Sequence, residues 1–182
     1  MSDKVSMAAD IPKYALPENE RRFLVGTPPD VAGARVFLIE DLYLDCGRLR
    51  LRRITRFDGR PPEHKLCKKY GSADPVSEPI TNLYLTVEEH AAIAVLPGRP
   101  LAKRRHFVQH AGRVFSVDVF EGPLAGLVMC EAEAATPEAI RALAFPSWAT
   151  REVTADPFFS GGHLARITSA ELAARLADTA SA

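Results

Sequence analysis

Glu18-Asn19-Glu20-Arg21-Arg22-Phe23-Leu24-Val25 sets Glu18, Glu20 and Arg22 at alternate positions, with Phe23 and Val25 on the other parity. In a β-strand, residues i and i+2 point to the same side, so this stretch reads as a strand with one charged face. The alternation recurs down the chain. Arg48, Arg50 and Arg52 form a second row, Lys65 and Lys69 flank Cys67 in a third, Lys103 and Arg105 make a fourth, and Glu131 and Glu133 a fifth. The other parity holds apolar residues such as Leu49, Leu51, Val117, Val119 and Val128. A lone strand of this kind buries its apolar face and leaves its charges in water. Many such strands together predict an α+β fold: an eight-stranded antiparallel closed β-barrel, open as a tunnel, with a charged lumen and helices packed on its apolar outside.

The signs of the rows indicate what the lumen holds. Like charges on one strand face stand about 6.7 Å apart, and at an effective dielectric near 20 they repel by roughly 2.5 kcal/mol. The candidate lumen groups are eight bases (Arg22, Arg48, Arg50, Arg52, Lys65, Lys69, Lys103, Arg105) and five acids (Glu18, Glu20, Asp118, Glu131, Glu133). The cationic excess suits a polyanion, because arginine forks grip phosphate oxygens and lysines add point charge. Paired carboxylates suit a hard divalent cation that shares its coordination with phosphate and water. Bland readings stand beside these. The rows could be solvated outer faces, Asp118 could pair with a neighbouring arginine, and Lys65 and Arg52 lie at row ends where solvent competes with a ligand. Tyr43 reads as structural before catalytic.

Composition bounds the rest. The 182 residues suit one domain; 47% hydrophobic and 25% charged residues are globular values. A formal net charge of zero leaves no basic footprint for nucleic acid. Cys46, Cys67 and Cys130 are scattered without CxxC spacing, which argues against a thiolate zinc site and fits a reducing cytoplasm. Met1–Asp10 shows no signal peptide, and no run approaches the ~20 apolar residues of a membrane span. A cytoplasmic location is expected, and a homodimer stays open.

Residues 1–16 are expected to be a flexible lead-in and residues 17–182 a single domain ending in a helix. Strands are predicted over 18–25, 34–45, 48–57, 64–70, 80–85, 101–110, 113–120 and 127–134. Thr27–Asp30 reads as a turn able to open a short helix, and residues 71–79 as a polar loop. Thr86-Val87-Glu88-Glu89 is a capping box opening a helix to about Leu96. Thr136-Pro137 opens a second helix to about Ala144, and Thr168-Ser169-Ala170-Glu171 a C-terminal one. Ala111-Gly112 is a hairpin turn. Trp148, with Phe145 and Pro146, is expected as a packing anchor.

Residues 18–25 resemble the ExExK signature of the CyaB–thiamine triphosphatase (CYTH) superfamily of triphosphate tunnel metalloenzymes. Tyr43-Leu44, Arg48-Leu49-Arg50, Leu66–Lys69, Lys103-Arg104-Arg105, the stretch from Val117 to Leu127, Glu131-Ala132-Glu133 and Glu152-Val153-Thr154 are similar to its later motifs, in order. The resemblance implies a metal-dependent hydrolase of inorganic triphosphate or a related organic triphosphate, using Mg²⁺ or Mn²⁺. It implies Glu18, Glu20, Asp118, Glu131 and Glu133 as metal ligands, and Arg48, Arg50, Arg52, Lys65, Lys69, Lys103 and Arg105 as phosphate-binding groups. Arg22 and Tyr43 take the catalytic positions. Class IV adenylyl cyclase activity on ATP, or non-catalytic polyphosphate or nucleotide binding, are the alternatives. The chain departs from the pattern at Arg22, which replaces a lysine able to titrate, and over Ile80–Leu85, which carries no acid where the family has RxExE.

Overall fold

The computed structural model describes residues 11–180, so most of the expected lead-in and the signal-peptide reading lie outside the described residues. The strands are β1 (Leu16–Val25), β2 (Arg35–Leu44), β3 (Leu49–Arg56), β4 (Glu63–Lys69), β5 (Ser77–Leu85), β6 (Gly98–His110), β7 (Arg113–Phe120), β8 (Val128–Glu133) and β9 (Ala149–Glu152). The helices are α1 (Val87–Ala94), α2 (Pro137–Arg141), α3 (Gly161–Leu164) and α4 (Ser169–Ala180), with 3-10 turns at Gly122–Leu124 and Pro157–Phe159. Hydrogen bonding runs β5-β4-β3-β2-β6-β7-β8-β1, and β1 pairs back to β5, which closes an eight-stranded antiparallel barrel. Closure leaves no open edge around the ring. No helix among the described residues is long and apolar enough to cross a membrane.

β1 is long enough to use one edge twice. Its residues 16–19 pair with β5, and Phe23–Val25 pair with β9, a ninth strand that the sequence reading passed over. β9 has four residues, three of them exposed, and so carries no apolar period to read. At the β6–β7 hairpin, Ala111 (φ 48°) and Gly112 (φ 76°) are both left-handed, as a tight turn matching strand twist requires.

Several expected boundaries are corrected. Residues 27–30 form no helix; Pro28 and Pro29 stand in an irregular connection to β2. β5 starts at Ser77, inside the expected loop, and β6 at Gly98, before the expected Leu101. The strand ladder overrides local breakers here: Pro79 sits opposite Pro17, where neither residue has an N–H to offer. α1 ends at Ala94 and α2 at Arg141, each earlier than expected. Both capping expectations hold in detail, since Thr86 Oγ1 accepts from Glu89 N and Glu89 returns a carboxylate to Thr86 N. Thr168 and Glu171 repeat the exchange at α4.

Two apolar clusters hold the barrel. Phe23, Val76, Phe115, Cys130, Ala132 and Ile140 pack outside β1, β7 and β8 under α2, with Phe145 stacked on Phe23 and Trp148 edge-on to Phe115. The second cluster joins Leu24, Leu101, Phe120 and Met129 to Phe159, Leu164 and Leu172. Leu101, Phe120 and Met129 share parity with the lumen charges of β6, β7 and β8 but line the cavity with apolar atoms. The lining thus turns apolar towards one end, where Phe159 and Leu164 seal it. The expected cover of helices is incomplete: α1 buries none of its residues, and Leu83, Val87 and Val95 are exposed.

Candidate active site

The barrel encloses a cavity of about 700 Å³, within the ~300–1,000 Å³ common for small-molecule sites. Nine cations (Arg22, Arg48, Arg50, Arg52, Lys65, Lys69, Lys103, Arg105, Arg166) and six carboxylates (Glu18, Glu20, Asp41, Glu78, Glu131, Glu133) line it. Strand order separates them. β1 and β8 are neighbours and carry the glutamate rows, while β2 and β3 lie three or four places round the eight-strand ring from them. Arg50 and Arg52 therefore face the glutamates across the lumen.

On the acidic wall, Glu18 and Glu20 of β1 and Glu133 of β8 each bring one carboxylate oxygen within 4.8 Å of the others. Register makes the group: Glu20 sits opposite Glu133, and Glu18 opposite Glu78 of β5. Lys69 Nζ is 2.6 Å from Glu18, 3.4 Å from Glu20 and 3.5 Å from Glu78. Burial opposes the Lys69 charge, but Glu20 and Glu18 outweigh it and hold its pKa far above the usual lysine value. The Glu133 carboxyl is pushed up by desolvation and then by Glu18 and Glu20. Glu18 Oε2 is buried and has no partner beyond its ion pair with Lys69. A hard oxygen-donor set whose buried Glu18 Oε2 is held by Lys69 alone fits Mg²⁺ or Mn²⁺.

On the basic wall, Arg52 grips Asp41 in a bidentate fork at 2.6 and 2.7 Å, and Arg50 Nε lies 3.8 Å from the same carboxylate. Burial raises the Asp41 carboxyl, but Arg52 and Arg50 together hold it below its ordinary value. Arg48 donates to the Tyr70 carbonyl at 2.6 Å. Lys65 lies 3.4 Å from Glu63 and faces the Tyr84 ring. Tyr43, raised by desolvation, stands beside Arg50 and against Gly161, where an added Cβ would come within 2.8 Å of Tyr43 Cζ.

Between the walls, Lys103 and Arg105 meet Asp118 and Glu131. Asp118 is fully buried; it accepts from Lys103 and takes two bonds from Arg105 at 2.7 Å. Arg105 also binds Glu131. Burial raises the Glu131 carboxyl, but Arg105 and Lys103 overcome it and hold it far below the usual range. Asp118 therefore lies behind the two cations and away from the Glu18–Glu20–Glu133 group, and Glu131 faces its own cationic partners. Arg22 donates to the carbonyls of Thr154 and Phe159, both at 3.0 Å, which ties β1 to the segment sealing the tunnel.

Three lining groups escaped the sequence reading. Asp41 shares parity with Tyr43 on β2, so the row Ile39, Asp41, Tyr43 was its available signal. Glu78 is followed by Pro79, which argues locally against a strand. Arg166 follows α3 and carries no periodic signal. Cys67 lines the lumen, and burial pushes its thiol up, away from nucleophile character.

No family model and no curated protein matches the sequence. Among solved structures the chain is similar to the hypothetical protein NE1496, with 26% identity, TM-score 0.57, and coverage of 83% of this chain and 99% of that one. A second structure, of the inorganic triphosphatase NE1496, gives 26% identity, TM-score 0.55, and coverage of 81% and 93%.

Proposed function

We propose that this chain, which has the triphosphate tunnel fold of the CYTH superfamily, hydrolyses inorganic triphosphate or a related organic triphosphate with a divalent metal. The observation that carries the reading is the division of one cavity into a carboxylate wall on β1 and β8 and an arginine wall at β3, where Arg48, Arg50 and Arg52 stand and β2 adds Asp41. Similarity to an inorganic triphosphatase at 26% identity supports it.

Glu18, Glu20 and Glu133 would hold Mg²⁺ or Mn²⁺, which supplies Lewis acidity towards phosphoryl oxygens when bound. Arg48, Arg50, Arg52, Lys103 and Arg105 would bind the phosphate chain and stabilise charge developing on its oxygens. Asp41 fixes Arg50 and Arg52, Asp118 fixes Lys103 and Arg105, and the Tyr70 carbonyl holds Arg48, all before substrate arrives, so little reorganisation is needed. Arg22, committed to two carbonyls, holds the sealed end rather than moving a proton. Lys65 stands at the rim of the phosphate wall, and Tyr43 orients Arg50.

Phosphate release from triphosphate, thiamine triphosphate and ATP with Mg²⁺ or Mn²⁺, read colorimetrically, tests the reading. Turnover of at least one compound, lost in Glu18→Ala, is expected. No release above that variant, together with tight triphosphate binding by calorimetry, would make the protein a binder instead.

A further inference from the structure

We propose that Lys69 is a tethered counter-cation of the carboxylate group, standing in for the divalent ion and leaving when the ion arrives. The inference rests on the metal reading of Glu18, Glu20 and Glu133. Its row on β4 would assign Lys69 to the phosphate wall, yet its ammonium turns to three carboxylates at 2.6, 3.4 and 3.5 Å. Two of those, Glu18 and Glu20, belong to the set whose oxygens lie within 4.8 Å of one another. The ammonium, with Arg22 Nε 3.8 Å from Glu20, offsets part of their mutual repulsion and keeps the group assembled without metal. A divalent ion brings twice the charge to the same oxygens, and like charges at such separations repel strongly.

Displacement is physically open to Lys69. Its side chain is 31% exposed to the lumen, and its flexible stem ends in a compact charge without a fixed fork. Glu18 Oε2 has no partner besides the ammonium, so a metal ion arriving there has only Lys69 to displace. Freed from the glutamates, the ammonium stays in the cavity that Arg48 and Arg50 also line, where an incoming phosphate chain can take it as a counter-ion. Metal binding thereby adds a cation to the phosphate-binding side. Triphosphate must in return tighten metal binding, since such coupling is reciprocal.

Calorimetric titration of Mn²⁺ without phosphate tests this at pH 8. Lys69→Met and Lys69→Gln should bind Mn²⁺ at least tenfold tighter than wild type, and Lys69→Arg no tighter. In the unsubstituted protein, reductive methylation of Lys69, read by mass spectrometry, should accelerate when Mg²⁺ is added. Neutral variants binding Mn²⁺ within twofold of wild type, or more weakly, overturn the role of Lys69. So does a methylation rate indifferent to Mg²⁺ in protein that binds it. A wild type that binds no Mn²⁺ overturns this proposal and the metal reading together, whereas loss of phosphate release with Mn²⁺ binding intact touches only the hydrolase reading.

Discussion

Replacing Asp118 with asparagine separates its two readings, metal ligand or positioning group. The substitution keeps the volume but removes the charge shared by Lys103 and Arg105. Breaking a buried ion pair from one side costs about 3–5 kcal/mol, because the orphaned charge stays desolvated. Here the lower end applies. Glu131 remains bonded to Arg105 and lies 3.8 Å from Lys103, and both cations open onto the lumen. A loss of about 3 kcal/mol lowers Tm by roughly 6–12 °C in a domain of this size. Mn²⁺ affinity should stay within about twofold of wild type, since Asp118 is bonded away from the glutamate group. Triphosphate should raise Tm more in the variant than in wild type, because two under-compensated cations gain an anion. Differential scanning fluorimetry and metal calorimetry read all three. A variant melting within 2 °C of wild type, or one that loses Mn²⁺ binding, refutes the reasoning.

Neighbours on β8 should respond to pH with opposite signs. The folded Glu131 carboxyl is depressed, so its stabilisation is present above the unfolded value near 4.3 and fades as pH falls below it. Glu131→Gln should therefore melt below wild type at pH 7, with the gap closing under acid. The folded Glu133 carboxyl is raised, so the unfolded chain gives up its proton first and stability falls as pH climbs above about 4.3. Without metal, Glu133→Gln should melt above wild type at pH 7, match it at low pH, and lose the stabilisation Mn²⁺ gives wild type; thermal melts from pH 3 to 8 check both. Gly161→Ala should cost about 1–3 kcal/mol by driving a methyl into Tyr43. Adding Tyr43→Phe should recover part of that loss in denaturant titrations, and a Gly161→Ala protein as stable as wild type would remove the contact from the account.

Parity made the lumen faces legible. Glu18 and Glu20, Arg50 and Arg52, and Lys103 and Arg105 line the cavity as their alternation requires, because a strand's side chains have no other geometry available. The caps at Thr86 and Thr168 were equally local, each settled within four residues. Strand ends were not, since β5 extends past Pro79 only because β1 is there to pair with it. The roles of the charges were not local either. Lys69 reads as one more phosphate cation until β5 closes on β1 and brings Glu18 and Glu78 to it. Asp118 and Glu131 look alike in the chain, but one is walled off behind Lys103 and Arg105 and the other faces the tunnel. The sequence by itself determined which side chains point inwards and that both signs are present. Only the tertiary structure decided which charge meets which, because Coulomb partners are set by distance across a closed ring, and neither alternation nor composition encodes that distance.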